Sequence, residues 1–235
     1  MAGTAAPLVP DPMLSTIGPL AIVLQASTVV WLLVVWQRKR HFSGPLRRLS
    51  WYVYLSLGCS VWGQLHPLLF ATNHWSIITF NLGKIALFGA VYARVLTAPL
   101  ARRLVLATTA GALVFSLSFL GFGTSLLITV SRVVQGAVLA AFALVYLEQS
   151  LAQPGSGPKG AHDPLWLLSV GQLLCSAGAV TSSSLDYFSK TVHDQLWNFV
   201  VIIIVGMVFN AFLTMAFWQA GRRRQPAPAG LPGQP

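Results

Sequence analysis

The chain has 235 residues, 55% of them hydrophobic and only 9% charged, with a mean hydropathy of +0.68. Soluble globular domains carry roughly 25% charged residues, so this composition excludes one water-exposed domain and points to a polytopic membrane protein. The formal net charge of +10 raises nucleic acid as a partner, but the placement of the basic residues accounts for it otherwise.

The segment 1–14 has no positive charge ahead of its apolar run, whereas a secretory signal needs a basic region followed by a short apolar core. The run 15–36 is longer than such a core and ends in QRKR. It reads as a retained first span with a stop-transfer end. A spanning helix needs about 20 apolar residues. Six more runs meet that length, at 49–71, 75–97, 101–121, 125–148, 164–185 and 195–219. The links ATNHWS, TAPLARR and GFGTS are short, which favours antiparallel neighbours. AQPGSGPKGAHDP, between runs five and six, reads as a flexible loop. The basic, Pro-rich tail 221–235 lacks the apolar residues of a packed element and reads as disordered. The expected fold is therefore all-α, a bundle of seven transmembrane helices over 15–220.

Orientation follows from the lysines and arginines. Arg38, Lys39, Arg40, Arg47 and Arg48 lie between runs one and two, and Arg94, Arg102 and Arg103 between three and four. Lys159 follows run five, and Arg222, Arg223 and Arg224 follow run seven. With seven spans all twelve fall on one side, and Lys190 alone falls on the other. This sets the N-terminus outside and the C-terminus in the cytoplasm of a bacterial inner (plasma) membrane. It also turns the basic excess into an insertion signal, with no nucleic acid needed. Trp36, Trp51, Trp166 and Trp218 at inner span ends, and Trp75 and Trp197 at outer ends, suit interfacial depth. Ala107 with Gly111, and Gly136 with Ala140, are small-residue pairs that let helices approach closely.

Two cations remain inside the apolar runs, Lys84 and Arg132. By helical rise, Lys84 lies roughly 13 Å and Arg132 roughly 10 Å from the outer side. Asn81 with Lys84, and Arg132 with Gln135, are spaced i, i+3, so each pair shares a helix face. Gln64 and His66 lie at comparable depth in run two. A lipid-facing ammonium costs several kcal/mol, so these faces are expected to point inward.

The five acidic residues, Asp11, Glu148, Asp163, Asp186 and Asp194, all lie outside or at the ends of the runs. A buried cation without a carboxylate can lose its proton, pair with amides and water, or pair with an anion from elsewhere. Arg132 can also snorkel to headgroups, Lys84 can bond Gln64, Asn81 or Gln172, and His66 can satisfy carbonyls freed by Pro67. The sharper expectation is an outward-opening pocket. Lys84 and Arg132 supply its charge, and His66, Gln64, Asn81 and Gln135 orient a small anionic or amphiphilic ligand.

Other chemistries lack their residues. Run seven has no lysine for a retinal Schiff base of the rhodopsin kind, and the bundle offers no carboxylate counter-ion. His41, His66, His74, His162 and His193 show no i, i+4 pairing for a metal. No G-x-S-x-G elbow, P-loop or dinucleotide fingerprint occurs. Cys59 and Cys175, both inside apolar runs, read as small packing residues. No enzymatic activity, metal or cofactor is expected.

The seven-span layout over 15–220, with its short loops and basic inner tail, and the stretch NHWSIITFNLGKIALFGAVY, in which an Asn at the outer turn leads into an aromatic-bounded span, resemble bacterial seven-helix membrane sensor domains. Such domains stand alone or precede signalling modules such as histidine kinases. The resemblance implies a non-enzymatic sensor or receptor-like protein, and no site residue is carried over from it. No kinase or cyclase module follows Arg224, so the output would pass through a separate cytoplasmic or membrane signalling partner. A small-solute transporter or permease, and an accessory subunit of a membrane complex, are the alternatives.

Overall fold

The computed structural model describes the backbone of residues 12–69, 74–118, 125–152, 163–188 and 192–222. Side chains are described within 19–62, 78–118, 129–152, 163–185 and 197–220, Ala21 excepted. Among the described residues there are seven α-helices, a 3-10 turn and no strand. The helices are α1 (Pro12–Arg38), α2 (Gly44–Leu69), α3 (His74–Val95), α4 (Pro99–Ser118), α5 (Ser125–Ala152), α6 (Pro164–Phe188) and α7 (Val192–Arg222), with the 3-10 turn Lys39–His41 joining α1 to α2. Each coincides with one apolar run to within a few residues. The largest difference is at α2, which begins before the run. Pro45 sits in its first turn, where a proline leaves no intrahelical donor unused. Arg47 and Arg48 are thereby wound into the helix.

Local chemistry fixes several ends. Asp163 precedes α6, and its Oδ1 accepts the backbone N–H of Leu165 at 3.2 Å, while Pro164 supplies a pre-set first position. Arg38 ends α1 and Arg94 lies in the last turn of α3, where positive charge complements the helix dipole.

Neighbours in sequence pack side by side, and α7 closes on α1. α3 touches α2, α4 and α5 and reaches α6 and α7 through Lys84, so it runs through the middle of the bundle. The contacts also show which ends gather. Arg38 Nη1 donates to the carbonyl of Trp218 at 2.9 Å, with its guanidinium 3.8 Å from the Trp218 ring centre. Phe42 stacks on Phe217 at 5.2 Å. Thr97 Oγ1 donates to Gln149 Oε1 at 3.5 Å, and Tyr146 Oη donates to Asp163 Oδ2 at 3.0 Å. The helices thus alternate in direction. One end of the bundle, hereafter the basic end, collects Arg38, Lys39, Arg40, Arg47, Arg48, Arg94, Arg102 and Arg103.

The core is a column of rings. Trp31 stacks on Tyr52 at 5.9 Å, Tyr52 meets Phe88 edge-on at 5.5 Å, Phe88 leans on Tyr92 at 6.4 Å, and Tyr92 reaches Tyr146 at 6.1 Å. Phe209 joins from α7, 6.1 Å from Tyr52. Such pairs contribute about 0.5–1.5 kcal/mol each beyond area burial.

Around this column the polarity is inverted relative to a soluble protein. Ile22, Val29, Leu33, Leu104, Val114, Leu144, Phe199 and Ile204 are exposed on the outside, whereas Gln135, Gln172, Ser169, Ser176, Asn198 and Asn210 are buried. Water would not tolerate that exterior; lipid does. Among the described residues four stretches are long and apolar enough to cross a membrane, in α4 (Pro99–Ser118), α5 (Thr129–Ala152), α6 (Pro164–Leu185) and α7 (Trp197–Ala220).

Two glycines of the small-residue pairs part company. Gly136 faces Val180 and the carbonyl of Ser176 on α6, while Gly111 faces open space. The closer approach is at Gly171, where an added Cβ would lie 2.6 Å from Phe212 Cβ, an atom held near its own backbone. Gly171→Ala is expected to lower stability in detergent by about 1–3 kcal/mol, as overpacking does. Gly111→Ala should leave stability unchanged or raised by up to about 1 kcal/mol through helix propensity. Thermal unfolding of both variants, followed by circular dichroism, checks the contrast.

Candidate ligand site

Lys84 stands ten residues from the first residue of α3 and eleven from the last, so its Cα is at mid-length. Its side chain is half-buried. The ammonium donates to Cys175 Sγ of α6 at 3.8 Å and lies 5.1 Å from the Phe209 ring centre of α7. A thiol is a weak acceptor, and a ring face contributes about 0.5–2 kcal/mol. Among the described residues no carboxylate meets this ammonium. The cation is therefore positioned by two soft contacts and neutralised by neither.

The groups around it extend the ring column. Phe209 lies 6.4 Å from Phe88 and 6.1 Å from Tyr52, and Tyr52 lies 5.8 Å from Phe80. One turn along α6 from Cys175 is Gln172, fully buried, whose Nε2 donates to Ser176 Oγ at 2.8 Å. Its Oε1 has no partner, and neither has Nε1 of Trp31, which is 1% exposed. A buried polar atom without a partner costs about 1–3 kcal/mol, so both mark places where the bundle's own side chains leave a bond unmade.

The sequence-predicted residues separate. Asn81 sits half-buried one turn from Lys84 on α3. Gln135 is buried and spent on packing: its Nε2 donates to Ser116 Oγ at 3.0 Å and to Ser131 Oγ at 3.4 Å, while the two serines lie 3.0 Å apart. It joins α5 to α4. Arg132 is half-buried next to Ser131 on α5. The side chains of Gln64 and His66 lie outside the described residues, although their backbone belongs to α2.

Other interior polar residues resemble Gln135 in having partners. Asn210 Nδ2 of α7 donates to Ser27 Oγ of α1 at 2.7 Å. Tyr92 Oη and Ser169 Oγ lie 3.0 Å apart. Ser182 hydrogen-bonds Asn198 across α6 and α7. Cys175 and Phe209, the two groups that touch Lys84, are what sequence reasoning missed, whereas Gln172, one turn along α6 from Cys175, is already a candidate partner in the sequence. The signal available was the i, i+3 spacing of Gln172 and Cys175, which puts an amide and a thiol on one face of α6.

Among the described residues no group of three His, Cys, Asp or Glu gathers to hold a metal ion. Compared with family models, curated proteins and solved structures, the chain has no match.

The Gln135 cluster gives a measurable contribution to helix association. Hydrogen bonds between helices in membranes average about 0.6 kcal/mol and reach about 1.7. Gln135→Leu and Ser116→Ala are each expected to destabilise by that order. A double-mutant cycle should return a coupling of about 0.5 kcal/mol or more, read by unfolding in mixed micelles.

Proposed function

We propose that the chain is a seven-span inner-membrane protein, N-terminus outside and C-terminus in the cytoplasm, acting as a non-enzymatic sensor or receptor-like protein of the bacterial seven-helix kind. In this reading it binds a small anionic or amphiphilic ligand that enters from the extracytoplasmic side and reaches Lys84 at mid-length of α3. The observation that carries the reading is the state of that ammonium: half-buried, held by the Cys175 thiol at 3.8 Å and the Phe209 ring at 5.1 Å, with no carboxylate among the described residues. In an apolar bundle such a charge is costly, and an intramembrane ionisable residue is by default a functional one. A ligand carboxylate is the group that would complete it, and the surrounding rings suit the apolar body of an amphiphile.

The orientation is supported by the gathering of Arg38, Lys39, Arg40, Arg47, Arg48, Arg94, Arg102 and Arg103 at one end of the bundle, which the positive-inside rule assigns to the cytoplasm. Arg132 and Asn81 would approach the ligand from α5 and α3, and His66 and Gln64 from α2. α3 would be the natural transmitter, because it touches α2, α4 and α5 and, through Lys84, α6 and α7, and carries Arg94 in its last turn at the basic end, where a signalling partner would dock.

Purified protein in detergent should bind decanoate and benzoate saturably. Lys84→Met should weaken both by about thirtyfold or more, since removing the partner of a desolvated charge costs about 2 kcal/mol or above. Insertion and helix content should be unchanged. Equal binding by wild type and Lys84→Met would refute the site. Sustained benzoate flux into proteoliposomes would make the protein a permease instead of a sensor.

A further inference from the structure

α1 carries an amide that its own bundle does not use. Gln25 stands thirteen residues from Pro12 and thirteen from Arg38, at the centre of the helix. Its side chain is exposed on the outside of the bundle, and among the described residues no group bonds the amide. The inner face of α1 is occupied: Leu24 packs over Gly206, Ser27 accepts from Asn210, and Trp31 stacks on Tyr52. Gln25 lies off that face. Exposed hydroxyls are satisfied within their own helix, as Thr108, Thr181 and Ser184 show by donating to the carbonyl four residues earlier. The Gln25 amide makes no such bond. If α1 spans the membrane, Gln25 is roughly 20 Å from both helix ends, at the middle of a hydrocarbon layer about 30 Å thick. Water does not reach it there, and an unbonded amide in lipid is costly.

The residues around Gln25 form a seam. Ile22, Gln25, Val29, Leu32 and Trp36 are spaced three, four, three and four residues apart, the heptad spacing by which one helix packs on another. Four of them are exposed and Leu32 is half-buried. Ala26 and Leu33 flank the seam and are exposed too, and a small residue beside Gln25 lets a second helix come close. Arg38 turns to Trp218 on α7, so facing guanidiniums do not close the basic end of the seam. The occupant that fits is a second copy of this chain. All copies insert in one orientation, so a two-fold axis relating two of them stands along the membrane normal. Their α1 helices then run parallel, and each seam residue faces its equivalent at the same depth. An amide both donates and accepts, so two facing Gln25 side chains satisfy each other. We infer that the chain forms a parallel homodimer through α1, with Gln25 paired to Gln25 of the second copy. The inference rests on the proposed reading of α1 as a membrane span and is independent of the ligand at Lys84.

The test uses the full chain in phosphatidylethanolamine–phosphatidylglycerol vesicles. Energy transfer between donor- and acceptor-labelled copies, followed as the protein is diluted in lipid, is expected to show a dimer. Gln25→Leu should raise the dissociation constant about tenfold, the effect of losing two interhelical hydrogen bonds, while Gln25→Asn should stay within about threefold of wild type. With Cys59 and Cys175 replaced by alanine, Ile22→Cys and Val29→Cys should form intermolecular disulfides under mild oxidation, because seam positions come within disulfide reach. Val30→Cys, exposed on α1 but off the seam, and Leu104→Cys, exposed on α4, should not. A monomeric wild type overturns the second copy as occupant, and this measurement needs no variant. A dissociation constant unchanged by Gln25→Leu overturns the role of the amide. Val30→Cys or Leu104→Cys linking as fast as Val29→Cys overturns the choice of face. Gln25→Cys should resist a membrane-impermeant maleimide in intact vesicles; labelling would overturn the spanning reading of α1 and the dimer with it, whereas protection without dimerisation overturns the dimer alone.

Discussion

A positive charge at mid-length of an apolar bundle is the constraint on which the rest of this structure turns. Bringing an ammonium out of water costs several kcal/mol even after local relaxation. A fold that carries one must surround it with acceptors, allow it to discharge, or leave room for an opposite charge. α3 is threaded through the middle of the helix ring, and this leaves Lys84 half-buried between α6 and α7. Its neighbours, a thiol and a phenyl ring, are polarisable but carry no formal negative charge. The arrangement positions the cation without neutralising it.

The column of rings explains why position can be maintained without neutralisation. Trp31, Tyr52, Phe88, Tyr92 and Tyr146 come from α1, α2, α3 and α5 and lie in successive contact. Aromatic side chains have few rotatable bonds, so they fix helix spacing at low entropic cost. Phe209 belongs to the column and to the site at once. Movement of α7 relative to α3 would therefore alter both the ring stacking and the surroundings of the ammonium.

The helices were legible in the sequence because their signal is length and hydropathy, which seven uninterrupted runs supply. The small-residue pairs were half legible: Gly136 packs on α6, but Gly111 looks outward. Spacing along one helix says which residues share a face, not which way the face turns. The site divides in the same manner. Lys84 stood out because its residue type is costly in its setting. Gln135 stood out for the same reason, yet it binds Ser116 and Ser131, since an amide can be satisfied by hydroxyls that attract no notice in the sequence. Cys175 and Phe209 were invisible as site residues because thiols and rings are ordinary core material. Only the crossing of α3 against α6 and α7 gives them their roles.

The strongest argument that the surroundings of Lys84 are something other than imperfect packing comes from the rest of the interior. Gln135, Asn210, Tyr92, Ser169, Ser182 and Asn198 all have side-chain partners on a neighbouring helix. The bundle therefore satisfies its polar groups where they serve association. Among the described residues three buried side-chain atoms lack partners, on Trp31, Gln172 and Gln219. Gln219 lies three residues from the end of α7, well away from Lys84 along the chain axis. Of the other two, Trp31 belongs to the ring column and Gln172 lies one turn along α6 from the thiol that meets the ammonium. Sequences that fold well tend to avoid such omissions, and real proteins concentrate the exceptions at functional sites. An unneutralised cation beside Cys175 and Phe209, and an orphan acceptor one helical turn along α6 from that thiol, are the departures from this pattern on which the proposed ligand reading rests.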